Sequence, residues 1–112
     1  MTGLIFKIVP RALWAAADDP FEGSAHDKAD GFLHLSTAPQ LPETLRLYYA
    51  GQTDLLLIAV DSNAVAADLK FEHAPSRGED FPHLFAPLPH AAVRWIRPIG
   101  IDADGFVLPP LD

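Results

Sequence analysis

The chain has no cysteine. That removes disulfides, thiolate nucleophiles and Cys-ligated zinc or iron–sulfur centres at once. Positive charge is scarce too: eight Lys and Arg face fifteen Asp and Glu, a formal charge of -7. This balance opposes the phosphate attraction on which nucleic-acid binders rely, so DNA is not an expected partner. No run approaches the ~20 apolar residues that span a bilayer, and Met1 to Lys7 lacks the long apolar stretch of a signal peptide. A soluble, cytoplasmic protein with no membrane partner is the expectation. The seven glycines are scattered singly, so there is no glycine-rich phosphate loop, and no serine lies in a nucleophile-elbow context. Repeats, low-complexity tracts and linkers are absent as well.

What is present suffices for one core. The 112 residues match one domain, 1–112, and 49% of them are hydrophobic, enough to offset the entropy of ordering the chain. Leu4 to Val9 reads as a strand stopped by Pro10, which also opens a short helix from Arg11 to Ala17. Asp18 to Asp30 has the polar, Gly- and Pro-marked composition of a loop, long for so small a domain. Phe32 to Leu35 then alternates as a short strand, with Phe32 and His34 on one face and Leu33 and Leu35 on the other. Thr37-Ala38-Pro39-Gln40 has capping-box spacing ahead of a helix from Leu41 to Tyr49, which Gly51 ends.

Asp54 to Asp61 is a continuous apolar run bounded by acids, the pattern of a central strand covered on both faces. Ser62 to Ala67 suits a helical turn, and Leu69 to Glu72 a short strand. Ala74 to Asp80 reads as a surface loop, and Phe81 to Pro89 as an apolar, proline-fixed segment packed on the body. Ala91 to Ile99 is a further strand, and Phe106 to Leu108 pairs with it as a hairpin across Asp104-Gly105. Strands and helices do not alternate strictly. The fold class expected is α+β, a small domain with a mixed or antiparallel sheet and short helices to one side.

Five histidines invite a search for chemistry, because imidazole changes charge near neutral pH. His34 is the best placed, beside an aromatic and two residues before the Ser36 and Thr37 hydroxyls at the head of a helix. Imidazole, hydroxyls and free helix N–H groups in a small volume suit an anionic or ribose-like ligand. The same spacing also fits a structural histidine with Ser36 as a plain cap. His83, among Phe81, Pro82, Leu84 and Phe85, either pairs structurally or lines a site. Glu72 is a catalytic carboxylate or an ordinary exposed acid. The histidines show none of the short zinc spacings such as HxxxH, so no metal site is expected. Arg94 and Arg97 are the nearest pair of basic residues, but three residues apart on a strand they point to opposite faces. Phe32, Tyr48 and other aromatics offer stacking surface for a flat heterocycle.

The opening Ile5-Phe6-Lys7-Ile8, Trp14, Phe21, Asp30-Gly31-Phe32-Leu33-His34-Leu35-Ser36 and Phe81-Pro82-His83-Leu84-Phe85-Ala86-Pro87-Leu88 together resemble the bacterial family called domain of unknown function 952. The family form of the last motif is similar to FPHLYGPL, from which Phe85 and Ala86 depart. The resemblance spans essentially the whole chain and implies an ADP-ribosylation-like fold whose cleft takes NAD or a related nucleotide. It implies no required cofactor, with NAD as a substrate of an ADP-ribosyl-transferase-type reaction. On that resemblance Phe32, His34, Ser36, Thr37 and Tyr48 would face a nucleotide-like small molecule, with His34, Glu72 and His83 as catalytic candidates. Glu72 does not lie in a recognisable version of the family's glutamate motif. The alternative is a non-catalytic small-molecule binding or interaction module.

Overall fold

In the computed structural model, which describes residues 3–112, two antiparallel sheets share the work of burial and of display. β1 (Leu4–Pro10), β3 (Leu55–Asp61), β6 (Val93–Asp102) and β7 (Gly105–Val107) form a four-stranded sheet in the order β1-β3-β6-β7. β2 (Leu33–His34), β5 (Glu79–Leu84) and β4 (Leu69–Ala74) form a second, in the order β2-β5-β4. The α+β body also holds, among the described residues, three short α-helices, α1 (Arg11–Ala16), α2 (Ala25–Asp30) and α3 (Leu41–Tyr48), besides three 3-10 segments.

β3 is buried on both faces, as an uninterrupted apolar run requires. Leu55, Leu57 and Ala59 pack with Leu41 and Leu45 of α3, while Leu56, Ile58 and Val60 pack with Phe21, Leu33 and Leu84 on the other side. Alternation along this one strand therefore builds two core clusters. The sheets meet where Phe6 and Ser36 exchange backbone hydrogen bonds of 2.8 Å each. A second such exchange, Phe21 with Leu88, ties the segment after α1 to the segment after β5.

Several expected elements occur with shifted bounds, and two differ in kind. The stretch read as a loop from Asp18 to Asp30 contains α2. Six residues are too few to show helical periodicity, so the helix is set by its ends. Ser24 accepts from the Asp27 N–H, Asp27 accepts from the Ser24 N–H, and Gly31 closes the helix in the left-handed region at φ 85°. The Glu79-Asp80 end of the expected surface loop and the start of the proline-fixed segment are strand β5, the centre of its sheet. Pro82 argues against a central strand because it lacks a donor. Here β2 pairs only with His83 and Leu84, and Pro82 contributes its carbonyl, which accepts from Leu35 N at 3.1 Å. No helix among the described residues is long and apolar enough to cross a membrane.

Candidate functional site

β1 is the outer strand of its sheet, and a cleft of about 750 Å³ opens along it, bounded by α2, β2, α3 and the β4–β5 hairpin. At its centre stands a buried ionic lock. Lys7, 5% exposed on an otherwise apolar strand, places Nζ 3.0 Å from the carboxylate of Asp27, itself 2% exposed, and 2.9 Å from the His34 carbonyl. Buried charges persist only when paired and hydrogen-bonded, and Asp27 is saturated accordingly. It accepts from Ser24 N at 2.9 Å, His34 N at 3.0 Å, His34 Nδ1 at 2.6 Å and Lys7. Burial pushes its carboxyl up, but the His34 and Lys7 contacts with the two backbone donors outweigh that and hold it well below the usual carboxylate range. Burial pulls Lys7 down, opposed by Asp27. Gly23 is required beside this lock. Its φ is +99°, and a Cβ there would come within 2.5 Å of Leu33 Cδ2 and 2.8 Å of Asp27 Cβ.

The lock sets the His34 ring. An ionised Asp27 is acceptor-only, so Nδ1 carries a proton, and Nε2 is turned outward to Asp30 Oδ2 at 2.8 Å. Across β2 and β5, His34 stands in register with His83. His83 Nδ1 lies 2.8 Å from Glu72 Oε1, and its ring is stacked on Phe32 at 4.0 Å. Two imidazoles, each oriented by a carboxylate, thus sit 5.8 Å apart between ring centroids. Oriented pairs of this kind can take up and deliver protons.

The opposite end of the cleft is built from Arg77, Thr44 and Tyr48. Arg77 rises from the β4–β5 turn, where Gly78 adopts φ +67°, and lies 4.5 Å from the Phe81 ring centroid. It donates to Thr44 Oγ1 at 3.1 Å and to the Gln40 carbonyl at 3.4 Å. Among the described residues it has no carboxylate within ion-pair distance, unlike Arg11, Arg46 and Arg94.

A family model described as a protein of unknown function (DUF952) matches residues 8–96. The chain belongs to this family. Two solved structures of one protein, CC0527 from Caulobacter crescentus, resemble it at 45% identity. The crystal structure has a TM-score of 0.85 and covers 92% of this chain and 91% of that one; the solution NMR structure has a TM-score of 0.81, covering 95% and 91%. A search of curated proteins returns no match.

Of the residues singled out from this DUF952 sequence, Phe32, His34, Ser36, Tyr48 and His83 all border the cleft. Thr37 and Glu72 do not. The Thr37 N–H is tied to Gln40 Oε1 at 2.9 Å, and Glu72 reaches the cleft only through His83. Arg94 and Arg97 lie elsewhere, bonded to Asp61 and to the carbonyls of Pro110 and Asp112. Sequence reasoning missed Lys7, Asp27 and Arg77. Lys7 carried a signal, a lone charge inside a strand with apolar neighbours, and Ser24-x-x-Asp27 was a cap pattern within the presumed loop. Arg77 carried none, because only the hairpin returns it to the cleft.

Proposed function

We propose that the cleft binds a small-molecule ligand of the nucleotide class, with NAD as the substrate to test first. One observation carries the reading: a cleft of about 750 Å³ pairs aromatic walls with a guanidinium that, among the described residues, has no carboxylate within ion-pair distance, in a chain of net charge -7. A phosphate would take the open N–H groups of Arg77, since a planar guanidinium matches phosphate oxygens two at a time. Ser36 and His34 would face the ribose, and Phe32 the heterocycle. The ADP-ribosylation-like fold belongs to the same proposal. Support for it comes from a His34-Leu35-Ser36 strand end beside a cleft in an antiparallel α+β body.

Transfer chemistry asks for more than binding. Breaking the nicotinamide–ribose bond develops positive charge on the sugar, which a carboxylate at the ribose stabilises. Glu72 is held by His83 outside the cleft wall, and this favours a second reading, a binding module without transfer.

Thermal denaturation with NAD, ADP-ribose and nicotinamide tests the proposal, since a ligand at about 100 times its Kd stabilises a protein by about 2.7 kcal/mol. NAD and ADP-ribose should raise the midpoint, and Arg77→Ala should remove most of the rise. Absence of any shift at millimolar nucleotide overturns the reading. Release of free nicotinamide from NAD selects transfer; binding without release selects the module.

A further inference from the structure

α2 and β2 bring together three side chains outside the aromatic walls: His26, Asp30 and His34, whose ligand-type atoms all lie within 4.8 Å of one another. His26 and Asp30 are one helical turn apart on α2, so they project on the same side. The left-handed Gly31 then reverses the chain and returns His34 to the Asp30 carboxylate. His34 Nε2 stands 2.8 Å and His26 Nε2 3.5 Å from Asp30 Oδ2. Ligands held about 2.0–2.2 Å from a tetrahedral cation lie about 3.3 Å apart, between these two separations.

We infer that His26, Asp30 and His34 form a binding site for a borderline divalent cation such as Zn²⁺, at the rim of the cleft. A second observation, independent of the clustering, points the same way. Metal-bound histidines donate their other ring N–H to a carboxylate, which orients the ring and strengthens the ligand. His34 does this through Nδ1 to Asp27, and Asp27 is in turn fixed by Lys7 and two backbone donors. The outer ring nitrogen is therefore aimed before any ion arrives, and a cation takes the place of the present His34 Nε2–Asp30 contact. His26, 75% exposed, completes the set by rotating its ring from its present stack on His34. Two imidazoles and one carboxylate suit Zn²⁺, Fe²⁺ or Co²⁺ rather than Mg²⁺ or Ca²⁺, and they leave coordination positions open for water or ligand. The inference stands apart from the nucleotide reading, because the metal alone is the probe.

Titrating the protein with Co²⁺ and recording its visible absorption tests the site. One equivalent should give the intense bands of a low-symmetry site with nitrogen ligands, and equimolar Zn²⁺ should abolish them. His26→Ala and Asp30→Asn remove exposed groups without touching the core, and each should weaken binding at least tenfold. Asp27→Asn should weaken it by about 10–100-fold through His34 alone, provided its circular dichroism matches the parent protein. Failure to bind Co²⁺ or Zn²⁺ at submillimolar concentration overturns the site. Binding that is unaffected by both His26→Ala and Asp30→Asn overturns it equally, whatever nucleotides do.

Discussion

β3 and β5, an inner strand of each sheet, are built from different materials. From Leu55 to Val60 every side chain of β3 is buried, and each face feeds a core cluster. β5 runs Glu79 to Leu84 with two exposed acids, a proline and a half-buried histidine. Its partner β4 is exposed along most of its length, Phe71 included. One strand derives its place from the removal of apolar surface from water, which is indifferent to the identity of each neighbour. The other buries Phe81, Pro82 and Leu84 as well, but adds specific polar contacts, such as His83 with Glu72 and Gln40 Nε2 with the Asp80 carbonyl at 2.8 Å. The first sheet supplies most of the buried apolar side chains, and the second adds His34 and His83 to the cleft.

That contrast has a deliberate exception at Lys7–Asp27, a polar lock at the apolar sheet's edge, and removing it should have the largest effect. Asp27→Ala strands the Lys7 charge and three donors of Ser24 and His34, so urea unfolding should report a loss of about 3–5 kcal/mol. A loss under 1 kcal/mol would show that the lock is solvated. Next comes Leu57→Ala, in the middle of β3 and fully buried, with an expected loss of about 2–5 kcal/mol in the same assay. A much smaller value would mean that the core collapses around the cavity.

Acid sharpens the comparison further. The Asp27 carboxyl titrates lower in the folded protein than the value of about 3.9 it has when unfolded. Its contribution is fully present above that pH and is lost as pH falls through the folded value. Stability measured between pH 2 and 6 should therefore fall more steeply below about pH 4 in the parent than in Asp27→Asn. Parallel curves would assign the acid limb to other carboxylates. Smallest is Phe71→Ser, an apolar residue lost from exposed β4, where a change within about 0.5 kcal/mol is expected. A loss matching that of Leu57→Ala would place Phe71 in a covered surface and erase the distinction between the sheets.

Legibility followed the same division. β1, β3, α3 and the β6–β7 hairpin could be read because their signals are local: apolar runs, helical spacing, Pro10 as a stop and Asp104-Gly105 as a turn. The alternation of Phe32 and His34 against Leu33 and Leu35 was equally visible, and the first pair does border the cleft while the second enters the core. α2 was hidden because a six-residue helix is set by its caps, and β5 because Pro82 disguised it.

By itself, then, the sequence determined an acidic, cysteine-free α+β domain with a doubly buried strand and a histidine strand beside aromatics. Hydrophobic patterning and turn chemistry act over a few residues, so they can be read along the chain. Only the tertiary structure decided that Lys7 meets Asp27 twenty residues away, that Asp27 aims His34 at Asp30, and that Arg77 closes the far end of the cleft. Lys7 with Asp27 and Arg77 with Thr44 join segments distant in sequence, while His34 meets Asp27 and Asp30 across the chain reversal at Gly31, and no pattern within a single element announces either.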